Sequence, residues 1–229
     1  MLDIQKHKYV LVQILKDIYS DKEISPLMGF KGGTAAYLFY DLPRFSVDLD
    51  FNLLEILKKD LVRKKTEHIL KDHGNIKTAR DKRYTIFFML SYGKEATNIK
   101  VEISKRKFPD SYEVKNYLGI PMLAMKKKDI FAHKLVAFPD RKSITNRDIF
   151  DLWFFLKNNW EINKKIVELR TGKEFKDSLK YCIKAAKRIN EMYILQGLGE
   201  IPDKEQKNWA KNNLKKDLIF LMKNYLETS

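Results

Sequence analysis

The sequence predicts an α+β chain: a small mixed sheet flanked by helices, followed by an all-helical C-terminal region. Three observations carry this. Up to about residue 124 the apolar residues recur at both helical and alternating periods, and beyond it they recur almost only at helical period. The run "FSVDLDF" alternates apolar and polar residues as a half-buried strand does. A glycine pair, Gly32 and Gly33, stands between the apolar stretch "PLMGF" and the short helical stretch "TAAYLFYDL". The expected division is residues 1–124 as a mixed α/β domain and residues 125–229 as an all-helical one.

Taken in order, Val10, Leu11, Ile14, Leu15 and Ile18 fall at helical spacing, and a strand and tight turn follow at residues 26–33. After Pro43 the period becomes two, with Phe45, Val47, Leu49 and Phe51 facing one way and Ser46, Asp48 and Asp50 the other. Residues 56–73 read as a helix ended near Gly74. "YTIFFML" and "NIKVEIS" read as strands, with one further short strand in "YEVKNYLGIPML". Helices are expected at "KKKDIFAHKLVAF", at "NRDIFDLWFFLKNN", from about Lys173 to Met192, and toward the C-terminus. In the third of these, Phe175, Leu179, Cys182, Ala186 and Ile189 form one stripe. Lys173, Lys176, Lys180, Lys184 and Lys187 form another, a ridge without an acid among its members that suits an RNA backbone or a solvated face.

Composition bounds the function. The chain has 229 residues, 44% of them hydrophobic, enough for a substantial core, and a net charge of +15 that attracts polyanions, nucleic acid first. A single cysteine, Cys182, excludes an intrachain disulfide and a cysteine zinc cluster. The four histidines, His7, His68, His73 and His133, lack zinc spacing and are expected as surface or internally satisfied residues. Charges are scattered through the first 25 residues, and no run approaches the roughly 18 uncharged residues of a membrane span, so a cytoplasmic protein without membrane association is expected.

The alternating run places Asp48 and Asp50 on one side of a strand, with Cα atoms about 7 Å apart, where both carboxylates can reach one hard cation such as Mg²⁺ or Mn²⁺. Gly32, Gly33 and Thr34 sit where a glycine turn opens a helix, a natural anion pocket, although Lys31 precedes the glycines and no Walker loop exists. In "NIKVEIS", Glu102 stands on a polar strand face and can serve as a third acid if its strand neighbours the aspartates.

The motif "FKGGTAAYLFYDLPRFSVDLDFNL" resembles that of the AbiEii/AbiGii-type nucleotidyltransferase toxins, within the DNA polymerase β-like nucleotidyltransferase superfamily. "AHKLVAFPDRKSITNRDIFDLWFFL" resembles that family's second signature, and together the two span residues 29–156. The resemblance implies a polymerase β-like core in which Gly32, Gly33 and Thr34 hold a triphosphate and Asp48 and Asp50 hold metal. Glu102 is the third carboxylate, where many relatives have Asp, and Lys134 neutralises the triphosphate. Lys31, Arg44, Ser46, Lys134, Asp148 and Asp151 join the nucleotide-binding set, the last two belonging with Arg141 and Arg147 to the second signature. Asp148 has an alternative as the end of a capping box begun by Thr145, and Asp151 as the partner of a nearby cation. The family's usual Glu before the lysine is His133 here.

The activity so implied is Mg²⁺-dependent transfer of a nucleoside monophosphate from an NTP to an acceptor hydroxyl. The implied acceptor is a tRNA 3′ end, with translation blocked and a cognate antitoxin as partner, in a type IV-like toxin–antitoxin or abortive-infection system. Two alternatives stand beside it: transfer to a protein or small molecule, and a non-catalytic nucleic-acid-binding module.

Overall fold

Asp3 starts the first helix, α1 (Ile4–Ser20), by accepting the Lys6 N–H on its carboxylate at 3.0 Å. Leu11, Ile14, Leu15 and Ile18 form its buried stripe. The computed structural model describes residues 3–93, 98–140, 146–195, 198 and 204–228. The chain divides into two units: Met1–Asp41 with Ser46–Met125, and Leu42–Phe45 with Lys126–Ser229.

In the first unit α1 is followed by β1 (Met28–Lys31), α2 (Gly32–Phe39), β2 (Leu49–Leu53), α3 (Lys59–His73), β3 (Asn75–Asp81), β4 (Thr85–Ser91), β5 (Asn98–Ser104), β6 (Tyr112–Tyr117) and β7 (Ile120–Met125). The strands form one seven-stranded mixed sheet in the order β3-β4-β5-β2-β1-β7-β6. β2 is antiparallel to β1 and parallel to β5. Its apolar side is anchored in the core, where the fully buried rings of Phe51 and Phe30 lie 5.3 Å apart.

Three local features depart from the sequence expectation. The alternating run was expected to be a strand from Phe45, yet β2 begins at Leu49 and Ser46 is buried. Leu42–Phe45 belongs to the helical unit, and ladder pairing starts only where Leu49 meets Val101 on β5 and Asp50 meets Lys31 on β1. β3 was not expected, because "NIKTARD" is an exposed edge strand with no apolar alternation to read. The "YEVKNYLGIPML" stretch is a hairpin of two strands rather than one: Leu118 and Gly119 both take positive φ (51° and 81°), the backbone of a two-residue type I′ turn.

The second unit is helical: α4 (Lys127–Asp140), α5 (Asn146–Lys157), α6 (Lys164–Thr171), α7 (Phe175–Lys187) and α8 (Lys204–Thr228). Helix α6 was not anticipated; the Asn163 side chain caps its start and Gly172, in the left-handed region, ends it. In α7 the expected stripe of Phe175, Leu179, Cys182 and Ala186 is buried, while Lys176, Lys180, Lys184 and Lys187 are exposed. The helix is shorter than expected at both ends, and Lys173 lies in the exposed turn before it. The ridge also has an acid beside it, since Lys180 donates to Asp177 at 3.2 Å. Among the described residues no helix is long and apolar enough to cross a membrane.

Candidate active site

The carboxylates of the first unit are arranged by sheet register. Asp50 lies directly opposite Lys31 on β1 and directly opposite Glu102 on β5. Residues facing each other across a ladder share a face, so Asp50 and Glu102 stand side by side, as the sequence required for a third acid. Asp48 precedes β2 by one residue. Its Oδ1 accepts the Lys100 N–H at 3.3 Å, and the Lys100 ammonium is 3.9 Å from Oδ2, leaving the carboxylate 22% exposed.

Gly32 is required at its position on two counts. Its φ is +79°, a conformation that costs an L-residue about 1–2 kcal/mol. A Cβ there would also stand 2.5 Å from Asp50 Oδ2. The glycine turn is thus the wall against which the Asp50 carboxylate rests. Gly32, Gly33 and Thr34 are the first residues of α2, whose opening N–H groups lack intrahelical partners. The Thr34 hydroxyl is directed elsewhere: it is buried and donates to the Asp48 carbonyl, tying the helix start to the acid-bearing segment.

His7 does the same from the other side, and sequence reasoning assigned it no part in the site. It is 1% exposed. Its Nε2 contacts the Val47 carbonyl at 2.9 Å and its Nδ1 the Tyr92 hydroxyl. A carbonyl can only accept, so Nε2 carries the proton and Nδ1 accepts from Tyr92. Burial holds this imidazole below its usual pKa, against the raising effects of the Val47 carbonyl and the Asp48 charge. Lys100, which touches Asp48, was also missed; the available signal was its place two residues before Glu102 on the same strand face.

The helical unit gathers a different set. The Arg44 guanidinium grips Asp151 through two bonds, Nε to Oδ1 at 2.5 Å and Nη2 to Oδ2 at 2.6 Å. The Lys134 ammonium lies 2.9 Å from both Asp148 Oδ1 and Asp151 Oδ2. The carboxylates are at most 2% exposed. Burial raises the Asp151 pKa, but Arg44 and Lys134 outweigh it and hold the carboxyl at about 2. Burial likewise opposes the charge on Lys134, and Asp151 and Asp148 overcome it to keep the ammonium above its ordinary value. Asp151 therefore has the cation partners that the sequence offered as its alternative. Arg147 lies in the first turn of α5, and the His133 ring accepts from Arg170 at 2.8 Å. Arg141 and Thr145 lie outside the described residues.

The donor set of the first unit, Asp48, Asp50 and Glu102, is all oxygen and fits a hard divalent cation. Among the described residues no group of three His, Cys, Asp or Glu side chains is already converged on a common point. Such ions commonly take one or two carboxylates and complete their shell with water and substrate phosphates, and Gly32, by lacking a Cβ, leaves room for the Asp50 carboxylate against the turn.

Comparison with known proteins bears on the fold and the family. The crystal structure of a candidate nucleotidyltransferase from H. pylori superposes with a TM-score of 0.64 at 23% identity, covering 100% of this chain and 99% of that one, a likeness of fold. The crystal structure of JHP933 from Helicobacter pylori gives a TM-score of 0.61 at 25% identity, covering 100% and 97%. No curated protein matches the chain. The family model "Nucleotidyl transferase AbiEii toxin, Type IV TA system" matches residues 13–216. That span takes in most of the chain, including the glycine turn, the acid-bearing strand and the helices that carry Lys134 and Asp151, and the chain belongs to the AbiEii family of nucleotidyltransferase toxins.

Proposed function

We propose that this nucleotidyltransferase moves a nucleoside monophosphate from an NTP to the 3′ hydroxyl of a tRNA, in the cytoplasm, and thereby blocks translation. The reading is supported above all by the register that sets Asp50 beside Glu102, with Gly32 closing over the Asp50 carboxylate. Family membership implies an NTP substrate and a cognate antitoxin.

Asp48 and Asp50 would hold Mg²⁺ or Mn²⁺, with Glu102 as the third carboxylate. When bound, the metal supplies positive charge to the triphosphate and to the attacking oxygen. The remaining roles fall to this chain's own groups. The backbone N–H groups of Gly32, Gly33 and Thr34 bind phosphate oxygens. Lys31, Arg44 and Ser46 complete the nucleotide-binding set, Arg44 by holding Asp151 so that Asp151 and Asp148 orient Lys134 for a phosphate charge. Glu102 accepts the proton of the acceptor hydroxyl as its oxygen bonds to the α-phosphorus and the bond to the β-phosphate bridging oxygen breaks, releasing pyrophosphate. We assign the catalytic carboxylates to a domain of residues 1–124 and substrate contacts to a helical domain of residues 125–229. Lys173, Lys176, Lys180, Lys184 and Lys187 then track RNA phosphates.

The test is incubation with Mg²⁺, each of four α-labelled NTPs in turn, and total tRNA. The expected result is labelled tRNA with at least one nucleotide and a matching loss of aminoacylation. Folded protein that labels no RNA with any nucleotide overturns the proposal.

A further inference from the structure

Past the acids, the face that carries them continues as a track of rings and cations. The registers Asp50 to Glu102, Glu102 to Phe87 and Phe87 to Arg80 form one row across β2, β5, β4 and β3. With strands about 4.8 Å apart, that row extends about 14 Å from the first carboxylate to the exposed Arg80. Phe87 is half-buried, and the Lys82 ammonium lies 5.1 Å from its ring centroid. Beyond it, the Lys105 N–H donates to the Tyr84 carbonyl at 2.9 Å, tying the exit of β5 to the β3–β4 turn. This brings the guanidinium carbons of Arg83 and Arg106 to 5.0 and 4.7 Å from the Tyr84 ring centroid. The ring remains 44% exposed. Asp81, an acid of the same turn, is engaged by Lys105 at 2.5 Å.

Edge strands commonly carry cations that discourage pairing with other chains. That purpose needs no exposed ring and no pair of guanidiniums against it. Clustered like charges repel, and a polyanion relieves that repulsion; an exposed aromatic face loses little entropy on covering and gains a stacked base. We propose that Arg83, Tyr84 and Arg106, continued by Lys82, Phe87 and Arg80, form a docking platform for single-stranded RNA. Bases stack on the Tyr84 ring and its guanidinium neighbours, and the cations neutralise phosphates. The inference rests on the RNA-acceptor reading in one respect, that the docked strand ends at Glu102.

The test is fluorescence anisotropy with a fluorescein-labelled single-stranded RNA of about 12 nucleotides, without NTP, across a salt series. Tyr84→Ala is expected to weaken binding roughly tenfold, as loss of one stacked base does, while Tyr84→Phe keeps the ring and the affinity. The double variant Arg83→Ala/Arg106→Ala is expected to reduce the slope of log K against log salt by about 1.4, some 0.7 per lost phosphate contact. The three side chains changed here, Arg83, Tyr84 and Arg106, are exposed, and circular dichroism checks that each variant is folded. Unchanged affinity and slope in Tyr84→Ala and in the double variant would overturn the platform, as would wild-type protein that binds no RNA. Displacement of the RNA by polyglutamate of matching charge would also overturn it, since a carboxylate chain has no ring to stack. If the variants lose RNA binding but no nucleotide is ever transferred to RNA, the platform stands and the acceptor reading falls. If transfer to RNA proceeds equally in wild type and variants, the acceptor reading stands and the platform falls.

Discussion

Two groups of aspartates in this molecule differ in what compensates their charge. Asp148 and Asp151, on α5, are almost fully buried and are matched by Lys134 and Arg44 at hydrogen-bonding distance. Asp48 and Asp50 lie just before and within the first residues of β2, where Asp48 stays 22% exposed with Lys100 at the edge of contact and the Asp50 carboxylate, half-buried, packs against Gly32. A carboxylate closed into an internal ion network holds the fold and sets the position of its cations. A carboxylate that keeps part of its surface exposed can be reached by a metal and a phosphate. Motif spacing treats the four alike; burial and partners separate them.

The largest expected effect is catalytic and local. Asp50→Asn or Asp48→Asn removes a metal ligand worth several kcal/mol of charge stabilisation, so transfer should fall by about a thousandfold or more while the melting temperature stays near that of wild type. Next comes the opposite pattern: Asp151→Ala or Arg44→Ala strands a buried charge and should cost about 3–5 kcal/mol in urea unfolding. Such a cost after Asp50→Asn, or its absence after Asp151→Ala, would erase the distinction between the two groups. Gly32→Ala should destabilise the fold by about 1–2 kcal/mol from its φ alone and weaken NTP binding in an equilibrium assay, because the new methyl displaces the Asp50 carboxylate.

The smallest effect is a pH dependence. The folded-state pKa of His7 is lowered from 6.5, so between that lowered value and 6.5 the unfolded chain binds more protons than the native one. Stability is therefore complete above 6.5 and declines as pH falls toward the folded value. His7→Gln should be less stable at pH 7.5 by about 1 kcal/mol, having lost one or both bonds, and should show a flatter profile below 6.5. A profile as steep as that of wild type would remove His7 from the account.

The sequence revealed what depends on period and motif. The apolar stripe of α7, the strands β4 and β5, and the glycine turn that opens α2 were all readable because neighbours in sequence carry the pattern. Side chains that meet across long separations were not. Arg44 and Asp151 are 107 residues apart, and His7 and Val47 are 40 apart, with no local pattern to announce either pair. Glu102 is an intermediate case: its polar face was legible, but its place beside Asp50 exists only because β5 pairs in parallel with β2. Edge strand β3 escaped because exposure erases alternation, and the β6–β7 turn because Leu118 adopts a backbone that leucine rarely takes.

The most direct test of the central claim measures label transfer from an α-labelled NTP to tRNA by Asp50→Asn protein whose unfolding curve matches that of wild type. The account predicts folded protein that binds RNA and transfers no detectable label. Transfer at a rate close to wild type would contradict it, because the half-open carboxylates of β2 would then not be where the chemistry occurs.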